Sequence, residues 1–105
     1  MRVGGEGAAP APFDLFLASL ATCAGYYALA FCISRRIPTE GLAVSLVTEK
    51  ETGAKTIGRM TIRVGLPAGF PEKYRGAIVK AVDACTVKAH IINPPVFEVV
   101  TGPAA

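Results

Sequence analysis

Three cysteines, Cys23, Cys32 and Cys85, are the residues of this 105-residue chain best suited to do chemistry. A thiolate is a nucleophile, and oxidation takes it first to a sulfenic acid, which condenses with a second thiol to give a disulfide. Spacing limits which pairs can form. Cys23 and Cys32 are nine residues apart in a stretch that reads as one helix. At about 100° per residue they face opposite sides, about 13 Å apart along the axis. That exceeds disulfide reach. Cys85 falls on the apolar stripe of a second helix, from which pairing with Cys23 or with Cys32 is sterically open. All three could also be plain core residues, since free cysteine is among the most buried types. The pattern does not choose.

Ser19 and Tyr27 stand four residues either side of Cys23 and Tyr26 three after it, so all share its neighbourhood. Tyrosine hydroxyls there could hold a peroxide oxygen, although tyrosines on helices more often only pack. His90 is the one histidine, and a lone histidine is more often structural than catalytic. The run VGGEG is glycine-rich but lacks the preceding strand and the GK[ST] ending of a phosphate loop. No Ser-His-Asp order or carboxylate pair is visible. Three cysteines and one histidine without CxxC or HxxxH spacing give no reason to expect a metal or a cofactor.

Such groups need a scaffold to position them. The length fits a single domain over 1–105. Apolar residues are 51% of the chain and charged residues 18%, against about 25% charged in a typical soluble domain. A shortfall of charge points to surface hidden against a partner chain. The net charge of +3, from eleven basic and eight acidic residues, is scattered, so nucleic acid is not an expected partner. Three cysteines are too few for a disulfide scaffold, which favours a reducing, cytoplasmic setting.

Residues 1–12 form a Gly/Ala/Pro-rich arm without periodicity. Leu15 to Ile33 then runs for nineteen residues without a charge, the lower limit for a membrane span. Many small residues, two central tyrosines and the sheet-like pattern that follows favour a helix buried in a globular or dimeric core instead. It is expected from Phe13-Asp14, with Asp14 as cap or first-turn acid, to Arg36. A β-hairpin follows, with Leu42, Val44 and Leu46 paired to a strand bearing Met60, Ile62, Val64 and Leu66 on one face. Pro71 is well placed to open a second helix, whose stripe is Tyr74, Ala77, Ile78, Ala81, Val82 and Cys85. Thr86 to Ile92 reads as a short helix or turn ended by Asn93-Pro94-Pro95. A last strand is expected over Val96 to Thr101. Three strands cannot cover two helices, one of them apolar all round, so a second copy of the chain is the simplest cover.

The run GGEGAAPAPFDLFLASLATC and, some sixty residues on, CTVKAHIINPPVFEV resemble the OsmC/Ohr family from Val3 to Thr101. Members carry a Gly-rich segment, a Pro-led central helix with one cysteine, and a second cysteine late in another helix. The resemblance implies an α+β fold in which two chains intertwine as a homodimer, central helices wrapped by β-sheet from both. It implies reduction of organic hydroperoxides in oxidative stress defence, with Cys23 as peroxidatic and Cys85 as resolving cysteine. A dithiol, often lipoyl-linked, would restore the reduced form, and no role falls to Cys32. Phe13 stands where the hydroperoxide reductases of the family have a Glu, and is grouped with Ser19, Tyr26 and Tyr27 as the surface that meets substrate. Asp14, one residue later, points away from Cys23 on a continuous helix. The family's N-terminal hairpin with its Arg does not precede the Gly-rich segment here. Without those two groups, Cys23 is expected to behave as an ordinary thiol of pKa about 8.5. The alternative function is a non-catalytic dimeric module that binds a small apolar ligand.

Overall fold

The computed structural model describes residues 11–103. Its elements are helix α1 (Pro12–Ser34), strands β1 (Ala43–Glu49) and β2 (Arg59–Gly65), a single 3-10 turn at Glu72–Tyr74, and helices α2 (Arg75–Asp83) and α3 (Thr86–Ile92). The chain is α+β. Residues 1–10 of the expected arm lie outside the described residues.

Pro12 opens α1 with a ring that presets helical φ, and the Asp14 carboxylate accepts the Ala11 N–H at 3.2 Å, as a first-turn acid should. The helix closes before the two arginines rather than on them. Arg35 caps it, and Arg36 turns left-handed at φ +56°. The Ile37 N–H then reaches back to the Cys32 carbonyl at 2.9 Å and the Arg36 N–H to that of Ile33 at 3.1 Å. These are the two bonds of a Schellman stop, with arginine where glycine is usual. Ile37, just beyond, is buried. The Arg35 guanidinium folds back over the Phe31 ring, 3.8 Å from its centroid, and Phe31 meets Tyr74 edge-on at 5.9 Å.

β1 and β2 pair antiparallel from Ala43↔Gly65 to Glu49↔Arg59. Alternation puts Val44, Leu46, Ile62 and Val64 on the half-buried face, while Ser45 and Arg63 stay in water. Gly53, at φ +82°, makes the reversal between them. Leu42, Val44, Ile62, Val64 and Leu66 pack on a core of Ala24, Ala28, Phe31, Cys32, Ile37, Ile78 and Val82. Tyr74, Ala77, Ile78, Ala81, Val82 and Cys85 are all buried or half-buried, as their periodicity requires.

Three expectations are corrected. Pro71 precedes a 3-10 turn, and α-helical geometry begins only at Arg75. The second helix stops at Asp83, so Cys85 does not close its last turn but stands at the start of α3. No strand forms over Val96 to Thr101, so the sheet has two strands rather than three. The chain runs extended there without a partner edge, and Val96, Phe97, Val99 and Val100 are 81–99% exposed. As the shortage of strands requires, α1 is not covered all round by its own chain. Its most apolar 18-residue window has mean hydropathy 1.7, long and apolar enough to cross a membrane by length and composition, yet only 28% of that window is buried. Leu20, Ala24, Ala28, Phe31 and Cys32 make one buried stripe, while Leu15, Tyr26, Leu29 and Ile33 face outward. The radius of gyration is 17.5 Å, against about 13 Å for a compact domain of this length.

Candidate active site

The middle of α1 and the start of α3 meet at two cysteines. Cys23, half-buried, lies between the buried Leu20 and Ala24 of α1, and Cys85, fully buried, is the residue that launches α3. The chain bends at Ala84 with φ −81° and ψ 8°, and Cys85 returns to an extended ψ of 128°. That bend turns Cys85 and the following peptide N–H groups toward α1. Of the two pairings left open by spacing, the structure juxtaposes Cys23 with Cys85. Cys32 is turned into the core against the opposite side of α1. All three thiols are free.

The surroundings divide the two sulfurs. At Cys23 burial pushes the thiol pKa up, but hydrogen bonds from the Cys85 thiol and from the N–H groups of Val87 and Thr86 outweigh it, and the net shift is downward. Cys85 moves the other way. Burial raises it, and the hydrogen bond and charge of Cys23 raise it further against the N–H groups of Lys88 and Val87. When the pair gives up one proton, these directions favour Cys23 as the sulfur that loses it and Cys85 as the one that keeps it. The expectation of an ordinary, unassisted Cys23 is therefore corrected. Backbone donors and a second thiol favour its ionised form, and among the described residues no Glu or Arg is one of the groups that do so. Cys32, surrounded by apolar groups, is raised by burial alone.

The remaining candidates separate. Tyr27, half-buried, shares a hydrogen bond of 2.8 Å between its hydroxyl and Thr86 Oγ1. Tyr26 packs edge-on against it, with ring centroids 5.8 Å apart, but is itself 64% exposed. Ser19 donates to the Phe16 carbonyl at 2.6 Å, which leaves its oxygen lone pairs to accept. Phe13 is not brought to Cys23. It stacks on Phe16 at 5.4 Å and faces Ile57 and Met60 beside the hairpin. His90 donates from Nδ1 to the Thr86 carbonyl at 2.8 Å, a structural bond within α3. Among the described residues no group of three or more His, Cys, Asp or Glu could hold a metal ion. The groups that sequence reasoning missed are Thr86 and the N–H of Val87. Backbone donors carry no side-chain signature, and only the position just after Cys85 could have pointed to them.

The sequence matches the OsmC-like protein family over residues 5–100. The chain belongs to the OsmC family. The match spans both segments on which the resemblance rests, from the Gly-rich run to the Pro-Pro segment after α3. No curated protein and no solved structure matches the chain. Among the described residues, the Cys23–Cys85 junction brings a thiol of α1 to the one that precedes α3.

Proposed function

We propose that this OsmC-like protein is a cysteine-based peroxidase that reduces organic hydroperoxides in a reducing, cytoplasmic setting. The observation that carries the reading is the opposite bias of two adjacent thiols, Cys23 toward thiolate and Cys85 toward thiol. The Cys23 thiolate attacks the distal oxygen of ROOH. The O–O bond breaks, RO⁻ leaves and takes a proton to become ROH, and Cys23 becomes a sulfenic acid. The Cys85 sulfur then displaces hydroxide from that sulfenic acid. The thiol proton of Cys85 and the departing hydroxide leave as water, and a Cys23–Cys85 disulfide remains. An external dithiol, of which a lipoyl-linked one is the reading's first choice, reduces the disulfide by two exchange steps and is itself oxidised to a disulfide. No metal or organic cofactor enters.

On this reading Ser19, Tyr26 and Tyr27 line the approach to Cys23. Phe13, about 15 Å along the helix at 1.5 Å per residue, meets only the far end of a long organic tail. The working particle is a homodimer, whose second copy covers the outward stripe of α1 and pairs with the extended Val96–Thr101 segment.

The test is consumption of cumene hydroperoxide by reduced protein with dihydrolipoamide as electron donor. Cys23→Ser should abolish turnover. Cys85→Ser should reduce one equivalent of peroxide and then accumulate sulfinic acid on Cys23, visible by mass spectrometry. Wild-type protein that consumes peroxide no faster than free cysteine would end the enzymatic reading. The apolar-ligand module would then take its place.

A further inference from the structure

α3 is seven residues long and buries none of its side chains fully. A helix of that length has no stability of its own, so something outside it must hold its first turn against α1. The Tyr27–Thr86 hydrogen bond joins the side chains of α1 and α3 at 2.8 Å, across 59 positions of sequence. Its position is suited to the task. Tyr27 follows Cys23 by four residues, and helical side chains lean toward the N-terminus, so the Tyr27 ring lies back over the turn that carries Cys23. Thr86 follows Cys85 directly, and the Thr86 N–H is one of the donors to the Cys23 sulfur.

We propose that Tyr27 is a positioning residue of the site: its hydroxyl, bonded to Thr86 Oγ1, holds the Cys85–Val87 backbone against the Cys23 sulfur. The proposal rests on Cys23 being the reacting thiol, as read above, but it concerns the scaffold of that thiol rather than the substrate. The other polar groups on α3 and just before it are already engaged. His90 is bonded to the Thr86 carbonyl, and Lys88 pairs with Asp83. Neither ties α3 to α1. Without the Tyr27 hydroxyl, the first turn of α3 loses its side-chain hydrogen bond to the long helix, and the donors to Cys23 drift from its sulfur.

The experiment follows alkylation of each cysteine separately, by iodoacetamide and mass spectrometry of the fully reduced protein, between pH 5 and pH 10. Tyr27→Phe should move the midpoint for Cys23 upward by about half a unit to one unit. That leaves about three to ten times less thiolate at neutral pH, with the limiting rate at high pH unchanged. Thr86→Val should do the same, Thr86→Ser should restore the wild-type profile, and the double variant Tyr27→Phe/Thr86→Val should be no worse than either single one. A role in stability alone would lower the melting temperature and leave the Cys23 midpoint in place, and that result overturns the proposal. A midpoint that shifts equally for Cys23 and Cys32 overturns it too, because the core cluster around Cys32 is built from α1, Ile37 and α2. Peroxide turnover is measured on the same samples. A shifted Cys23 midpoint in a protein that never turns over peroxide sinks the peroxidase and keeps the positioning role, whereas unshifted midpoints in an active enzyme do the reverse.

Discussion

Each of the three thiols meets a different environment, and their order of ionisation follows. Hydrogen bonds lower Cys23 below the ordinary thiol value, while burial raises Cys32, and burial with the neighbouring Cys23 charge raises Cys85. As pH rises, Cys23 should therefore lose its proton first. A limiting amount of thiol reagent at pH 7 should label Cys23 almost alone. Labelling should climb with pH through the lowered pKa and level off above it, with Cys85 and Cys32 reacting only in stronger alkali. Preferential labelling of Cys85, read by peptide mass, would reverse the assignment of the two sulfurs. Little of this was legible in the residues themselves. The helical period showed that Cys23 and Cys32 could not pair, but it left Cys85 two partners, and only the resemblance named Cys23. Phe13 at the family's Glu position suggested an unassisted thiol. The structure answers with peptide N–H groups, which every residue but proline carries and which no residue type announces.

At the scale of elements, periodicity read well and endings read poorly. The stripe from Tyr74 to Cys85 and the alternation of the hairpin follow from packing on one side, which a sequence states directly. The break at Ala84 does not, because neither Ala84 nor Cys85 is a helix breaker. It arises from bringing Cys85 round to α1. The strand expected over Val96–Thr101 has the right residues, yet a strand needs a partner, and this run pairs with neither open edge of the β1–β2 sheet. The stop of α1 carries its own prediction. Arg36 is the one non-glycine residue with positive φ among the described residues, a conformation that costs an L-residue about 1–2 kcal/mol. Arg36→Gly removes that strain but loosens the unfolded chain, so a net gain of about 0.5–1 kcal/mol is expected. Thermal melting should rise by about 2–8 °C for a domain of this size. A fall would show that the Arg36 side chain holds more than its backbone costs.

For the whole molecule, surface area makes the case for a second copy. The chain exposes 8151 Å², whereas a folded monomer of this mass is expected to expose about 5,600 Å². The excess is of the size that permanent protein interfaces bury. Apolar residues that face outward on Leu15, Tyr26, Leu29 and Ile33 of α1 and on the Val96–Val100 run contribute to it. Light scattering at micromolar concentration should give twice the chain mass, and Leu29→Lys should lower it toward one chain by placing a charge in the seam. A well-folded wild-type monomer without detergent would end the homodimer reading. Until that cover arrives, the Val96–Val100 run is a hazard during synthesis. Extended, apolar and unpaired, it is the kind of segment that nucleates aggregates. Glu98, its single charge, divides it into two short pieces and stands as gatekeeper. On the homodimer reading, the same residues that close the finished particle make each newborn chain depend on meeting its twin quickly, so that the yield of soluble protein becomes a race between pairing and precipitation.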